Sequence, residues 1–476
     1  MGYLRPVLRI SGMAVMLVST YELGHQPVHI ASPAAALRAA GIETVCVDLS
    51  VEELDIDSVK AIDAIAFSVP MHTAMRLAVG AARKVKELRP DLPIAFYGLY
   101  ADVGSELNHG SVVDAIFCGE YEAPMVDWAL GSTEPGPVMV SLGKSEFLVP
   151  DRRGLPPLET YARLEHQGEA RIAAAVEASH GCRHRCKHCP IPAVYDGRLR
   201  VVGHDVVLGD IAQVVALGAQ HVTFTDADFL NAPAYSLGLL REAHASYPEL
   251  TFDVTVKVEH ILEHRDLWPE MARLGVLFTV SAFETVDDRT LEILAKGHTV
   301  SDMSEAVDVM NDAGIHLRPT WLPFVPWTTP QDIASIVRFL DAHDLAPSVD
   351  PVQMAIKLLV PEGSLLLSQP EMARHLRHFD AAGLTWVWEF ASPETELLQK
   401  ELDQIAAAAS DCKEDTHTTL SAMRRVISSS ARVDLGDQPP FDKPVPRLSE
   451  SWFCCAEPTV GQASVIDSIA IGKRPR

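Results

Sequence analysis

Cys182, Cys186 and Cys189 fall within eight residues, in the run HGCRHRCKHCP at 180–190, at the spacing C-x3-C-x2-C. Thiolates this close suit a metal centre better than a disulfide framework. Zinc takes four ligands, often as two C-x2-C pairs. No second pair accompanies this one, but His180, His184 or His188 offers a fourth ligand. A [4Fe–4S] cluster usually takes four thiolates, so three would leave one iron open to a small bidentate ligand.

The surrounding pattern decides where such a loop would sit. From Arg171 onward the segments RIAAAVEAS, HVTFTDADF, TFDVTVKVE, LFTVSAFE, IHLRPTWLP and VQMAIKLLV alternate with helical patterns such as DIAQVVALG and DIASIVRFLDAH. Short apolar runs alternating with helices predict a parallel sheet, here a partial (β/α)6 TIM-type barrel over 171–388. Active sites of such barrels lie at the carboxyl ends of the strands, and the cysteines follow the first strand directly. Ahead of it, AVMLVST, ETVCVDLS, AIAFSVP, PIAFYGLY and DAIFCGE predict a doubly wound, Rossmann-like sheet within a domain spanning 1–135. Its strand ends make Ser68, His72, Gly98 and Gly119 candidate site positions. Residues 136–170 read as a linker, and 389–476 as a mostly helical then irregular tail. The fold class is therefore α/β.

Composition narrows the function. The chain of 476 residues carries a formal net charge of −24 and has no Lys/Arg-rich run, which argues against a nucleic-acid partner and for a small-molecule substrate. No apolar run reaches the roughly 18 residues of a membrane helix. The opening MGYLRPVLRISGMAVMLVST leads into the β/α pattern without a clear cleavage site, so the expected compartment is the cytoplasm.

With His188 in the aromatic place of C-x3-C-x-aromatic-C, the motif and its barrel context resemble the radical SAM superfamily over about 171–385. That resemblance implies a [4Fe–4S] cluster on Cys182, Cys186 and Cys189. It implies S-adenosylmethionine (SAM) on the open iron, reductive cleavage of a carbon–sulfur bond, and an electron donor such as flavodoxin or ferredoxin. It also suggests SAM-contacting roles for Asp226 in FTDADF, Lys257 and Glu259 in KVEH, Ser281 and Glu284 in SAFET, and Arg318 in IHLRPTW, with His188 beside the cluster.

Residues 92–128 resemble the cobalamin-binding-like domain that precedes many such cores, with VDAIFCGEYE matching its vD-x4-GE-x-E pattern. Two departures count against cobalamin. No D-x-H-x-x-G is present, His25 lying at another spacing, and the expected double glycine is Tyr97-Gly98.

Adjacent Cys454 and Cys455 in SESWFCCAEPT suit a soft, thiophilic atom, a redox pair, or simple burial. This tail is similar to that of the CUAEP/CCAEP-tail radical SAM group, including the carbon–arsenic bond-forming enzymes of arsinothricin biosynthesis. The resemblance implies transfer of the 3-amino-3-carboxypropyl group of SAM to trivalent arsenic held by Cys454 and Cys455, with Cys412 as a candidate third sulfur. The alternatives are a cobalamin-dependent methyltransferase or C–C bond-forming enzyme on a natural-product precursor, and a metal-sensing regulator.

Overall fold

The computed structural model describes residues 12–132, 138–144, 146–441, 444–450 and 462. The chain divides into two compact units. Among described residues no helix is long and apolar enough to cross a membrane.

The first unit is a six-stranded sheet: β1 (Ala14–Ser19), β2 (Glu43–Asp48), β3 (Ala64–Ser68), β4 (Ile94–Tyr97), β5 (Ala115–Gly119) and β6 (Met139–Ser141). All pairings are parallel and the order is β2-β1-β3-β4-β5-β6. β1, β3, β4 and β5 are buried along most of their length, as the central strands of a sheet with helices on both faces require. β6 falls in the segment read as linker; it adds an edge strand to β5. Glycine is required at β5's end, because a Cβ on Gly119 would stand 2.2 Å from Ser141 O. Tyr97 is wholly buried among Leu17, Ile30, Phe117 and Tyr121, and its hydroxyl donates to His29 O at 2.9 Å. The bulk that the sequence set against close approach at Tyr97-Gly98 is thus packed in the core.

The second unit is built on a seven-stranded sheet in the order β14-β13-β12-β11-β8-β7-β17. β8 (Glu169–Val176), β11 (His221–Phe224), β12 (Thr251–Thr255), β13 (Val276–Glu284) and β14 (His316–Trp321) run parallel. β7 (Arg163–His166) forms an antiparallel hairpin with β8, and β17 (Arg447–Leu448) pairs antiparallel with β7. A short ribbon, β9 (Ser179–Gly181) with β10 (Leu199–Val201), brackets the cysteine loop, and β15 (Leu376–Asp380) with β16 (Thr385–Trp388) forms a separate hairpin. The sheet curls into a half-barrel whose opposite edges approach: Arg318 of β14 donates from Nη1 to Pro446 O, beside β17, at 3.4 Å.

The expected sixth parallel strand, VQMAIKLLV, is not a strand. Residues Pro351–Ala355 form a 3-10 turn, and only a single parallel bridge joins Phe324 to Lys357. Pro351 lacks an N–H for a ladder, and Lys357 Nζ sits over the Trp388 ring at 4.3 Å. Helix starts are locally encoded: Thr299 with Asp302 and Thr329 with Asp332 each form a capping box.

Inside the curl, His221 Nε2 and Thr223 Oγ1 both donate to Asp253 Oδ1, at 2.8 and 2.6 Å, and the His221 ring stacks on Phe278 at 5.9 Å. Removing the carboxylate strands two buried donors. Asp253→Ala should therefore cost about 3 kcal/mol in urea unfolding. Leu397, 67% exposed, should tolerate Ala within about 0.5 kcal/mol. Equal effects would contradict this account of the interior.

Candidate functional site

The cysteine loop leaves β9 at Gly181, where glycine is obligatory because φ is 78 and a Cβ would meet Arg198 O at 2.3 Å. Cys182 and Cys186 are buried and Cys189 is half-buried. The three thiols lie near enough to act electrostatically on one another. Asn231 Nδ2 donates to Cys182 Sγ at 3.5 Å, and the backbone N–H groups of His184 and Ile191 donate to Cys182 and Cys189. Burial pushes the Cys189 thiol up to about 12 and raises Cys182 as well. Alone, such thiols stay protonated; a bound metal centre is what would deprotonate them.

The histidines that a zinc site would recruit are held elsewhere. His180 Nε2 faces Glu177 Oε2 at 3.1 Å, and His188 Nε2 meets Glu284 Oε1 at 3.0 Å. Lys257 Nζ donates to His184 Nδ1 at 3.0 Å; His184 Nε2 faces His260 Nε2 at 3.2 Å; His260 Nδ1 faces Asp228 Oδ2 at 2.8 Å. His184, Asp228 and His260 have the residue types of a metal triad. The direction of the contacts says otherwise. An ammonium donating to Nδ1 obliges neutral His184 to carry its proton on Nε2, where a metal would need a lone pair. Burial, with Lys257 next, pulls His184 down to about 4, consistent with a neutral ring. The chain is a polarised relay tying the cysteine loop to the ends of β11 and β12. Three thiolates with one open iron position fit these residues better than zinc does.

Glu284 closes the site from β13. It has φ 66 where the register with β14 shifts, an uncommon conformation for a side chain of this size. Its Oε1 lies 3.0 Å from both His188 Nε2 and Lys296 Nζ. Burial alone would raise Glu284, but Lys296 and His188 outweigh it and hold the carboxyl well below the usual range. His298, nearby and buried, is pulled down to about 4 by desolvation and then by Lys296.

The sequence-derived residues thus separate into groups. Cys182, Cys186, Cys189, His188, Lys257, Glu259 and Glu284 converge at the strand ends, and Lys257 Nζ lies 3.0 Å from Glu259 Oε2. Asp226 is close but occupied, accepting from Ala178 N at 2.9 Å and from Ser179 Oγ. Ser281, two residues before Phe283, shares its face of β13, and the Phe283 ring meets Phe339 of the helix Pro330–Ala342, so Ser281 points to the helix layer rather than the interior. Arg318 is engaged by Asp350 at 3.4 Å and by Pro446 O, apart from the convergent group. Cys412 ends the helix Pro393–Cys412, which starts where Thr395 Oγ1 donates to Thr328 O, beyond the end of β14. The twenty residues of that helix, about 30 Å of rise, carry Cys412 to within four residues of Thr416, which meets Arg447 near the start of β8. Cys412 is exposed at the far end of the barrel, so the helix geometry argues against it as a third sulfur near the cysteine loop. Cys454 and Cys455 lie outside the described residues. Asp228 and His260 lie within FTDADF and KVEH but only their neighbours were singled out there, while Asn231, Lys296 and His298 had no motif to mark them.

Residues 176–340 match the family profile described as the radical SAM superfamily. Over 183 residues the chain is 30% identical to ribosomal protein uS12 methylthiotransferase RimO of Desulfotalea psychrophila (strain LSv54 / DSM 12343), covering 36% of this chain and 41% of that one. The chain thus spans well under half the length of this curated relative. Among solved structures it is similar to the cobalamin-dependent S-adenosylmethionine radical enzyme OxsB (TM-score 0.65, 13% identity, 84% of this chain and 67% of that one). It is also similar to the radical S-adenosylmethionine methyltransferase TsrM from Kitasatospora setae (TM-score 0.57, 16% identity, 82% and 88%). These likenesses bear out the α/β class and the half-barrel.

Two outcomes test this geometry. Replacing any one of Cys182, Cys186 or Cys189 by Ala should abolish iron–sulfur absorbance after anaerobic reconstitution; four irons retained per chain would defeat the assignment. Burial raises Asp226 to about 7 from an unfolded value near 3.8. The folded state then binds this proton more strongly, so stability falls as pH rises from about 4 to about 7. Asp226→Asn should remove that part of the slope in urea unfolding of the apo chain; an unchanged slope would mean that the carboxylate is ionised throughout.

Proposed function

Because residues 176–340 are a radical SAM domain, we propose that the whole protein is a radical SAM transferase joining a SAM-derived group, 3-amino-3-carboxypropyl, to a trivalent arsenic substrate. The observation that carries the enzymatic reading is the largely buried three-thiol loop, whose candidate fourth ligands are all engaged elsewhere. Cys182, Cys186 and Cys189 would hold a [4Fe–4S] cluster. When bound and reduced, the cluster supplies the electron that breaks a carbon–sulfur bond of SAM. The chain's own residues do the remaining work: Lys257 and Glu259 offer paired charges at the end of β12, and the His184–His260–Asp228 contacts hold the loop.

The direction of the chain supports a role for Cys454 and Cys455. β17 runs in the same sense as β8, since each is antiparallel to β7. Ser449 N donates to Arg163 O, level with Ile172 of β8. From that level the carboxyl end of β8 is about 13 Å farther, at 3.3 Å per residue. The five residues from Ser449 to Cys454 span at most about 18 Å. The adjacent sulfurs are therefore within chain reach of the strand ends, where two thiolates would position a thiophilic substrate.

A second reading is a cobalamin-dependent methyltransferase, favoured by the doubly wound first unit and by similar structures whose names specify cobalamin. Incubating reconstituted enzyme with reductant, SAM and arsenite, then identifying products by mass spectrometry, separates the two. The arsenic reading expects an aminocarboxypropyl arsenical, lost in Cys454→Ser and Cys455→Ser while uncoupled SAM cleavage persists. Cys412→Ser should leave it unchanged. Wild-type product from both tail variants would sink the arsenic assignment, and stoichiometric cobalamin after supplemented expression would favour the second reading.

A further inference from the structure

The loop following the helix Asp288–Ile293 brings a buried cation beside the cysteines. Lys296 is 3% exposed and lies between two residues at positive φ, Ala295 (53) and Gly297 (76). At Gly297 an added Cβ would stand 2.7 Å from Glu259 Oε2. Non-glycine residues rarely adopt this conformation, so Ala295 and Glu284 mark a locally constrained segment. The same segment is stitched to the cysteine loop by its backbone: Lys187 N, immediately after Cys186, donates to Leu294 O at 2.9 Å. Lys296 Nζ meets Glu284 Oε1 at 3.0 Å, and that oxygen also meets His188 Nε2, between Cys186 and Cys189. Lys296 acts electrostatically on both of those cysteines.

We infer that the Lys296–Glu284 pair sets the reduction potential of the cluster carried by Cys182, Cys186 and Cys189. The inference rests on the cluster reading and adds an electrostatic role for residues outside the ligand set. Reduction adds one negative charge to a centre that already bears three thiolates. A buried cation nearby favours the reduced state, and its carboxylate partner partly cancels that effect. Burial in a low-dielectric surrounding lets such charges act at a distance where surface charges would be screened. Charge, burial and hydrogen bonding are recognised means of tuning iron–sulfur potentials.

The two charges must therefore act in opposite directions. The test is a mediator-poised redox titration of the reconstituted full chain without SAM, read by electron paramagnetic resonance of the reduced cluster. Lys296→Met should lower the reduced-to-oxidised ratio at fixed poise at least tenfold, equivalent to about 59 mV for one electron. Glu284→Gln, which removes charge while keeping a polar amide near His188, should shift the ratio upward. The double variant should return towards wild type, and Lys296→Arg should stay close to it. A purely structural role predicts same-sign shifts in both single variants, because each would loosen the loop and admit water; that result, or no shift in either, overturns the inference. If Lys296→Met fails to retain a cluster, the sign of the Glu284→Gln shift decides alone. Loss of the cluster from both single variants assigns the pair to assembly and likewise overturns a redox role. A wild-type chain that takes up no iron and sulfide refutes the cluster reading itself, a distinguishable failure.

Discussion

Gathering three sulfurs able to carry negative charge in a loop largely shielded from water is the constraint that organises the second unit. Burial alone opposes it, since Cys182 and Cys189 are both raised as free thiols. The fold compensates with donors aimed at sulfur, from Asn231 Nδ2 and the His184 and Ile191 backbones, and with two buried ammonium groups, Lys257 and Lys296. Each ammonium is in turn paired with a carboxylate, Glu259 or Glu284, so that no buried charge is isolated. The same contacts fix the loop mechanically. His184 is linked to His260, Arg183 N to Asn231 Oδ1 at 3.2 Å, and Lys187 N to Leu294 O.

This arrangement needs the half-barrel. Parallel strands deliver their carboxyl ends to one side, so Asp228 after β11, Lys257 after β12 and Glu284 at the end of β13 arrive together though separated widely in sequence. An antiparallel meander would send alternate ends away. The interior below the site is filled by His221, Asp253 and Phe278, which converts the curl into a packed base on which the loop can rest. Arg318 belongs to that interior: partly buried, and bonded both to Asp350 and to the segment before β17, it joins the two sheet edges.

Much of this was legible in sequence because it is local. Strand-length apolar runs separated by helical patterns identified both sheets, and C-x3-C-x2-C located the loop. What escaped depends on register and on chain direction. The pleat turns Ser281 towards the helix layer, a fact set by the face it shares with Phe283 two residues on and not by its place near a strand end. Cys412 looked available by composition, yet a twenty-residue helix carries it to the far end of the barrel. VQMAIKLLV had a strand's composition, but Pro351 and the stacking of Lys357 on Trp388 divert it. Lys296 carried no motif; its importance comes from contacts with residues 12 and 108 positions away, Glu284 by a side-chain ion pair and His188 through that same carboxylate.

Charge links the site to its proposed reactants. The chain as a whole bears −24, whereas the interior of the site is lined by paired charges that nearly cancel. A strongly acidic exterior repels anionic ligands and favours cations or neutral molecules. SAM, with its sulfonium, is a net cation near neutral pH, and arsenous acid is neutral there. Neither needs a basic funnel to approach. A phosphorylated or polyanionic substrate would meet net repulsion from the chain as a whole, and Lys257 and Lys296 are already committed to carboxylates. For the proposed reactants the net charge of the chain is thus no barrier, and the paired charges of the site remain to position the cysteine loop.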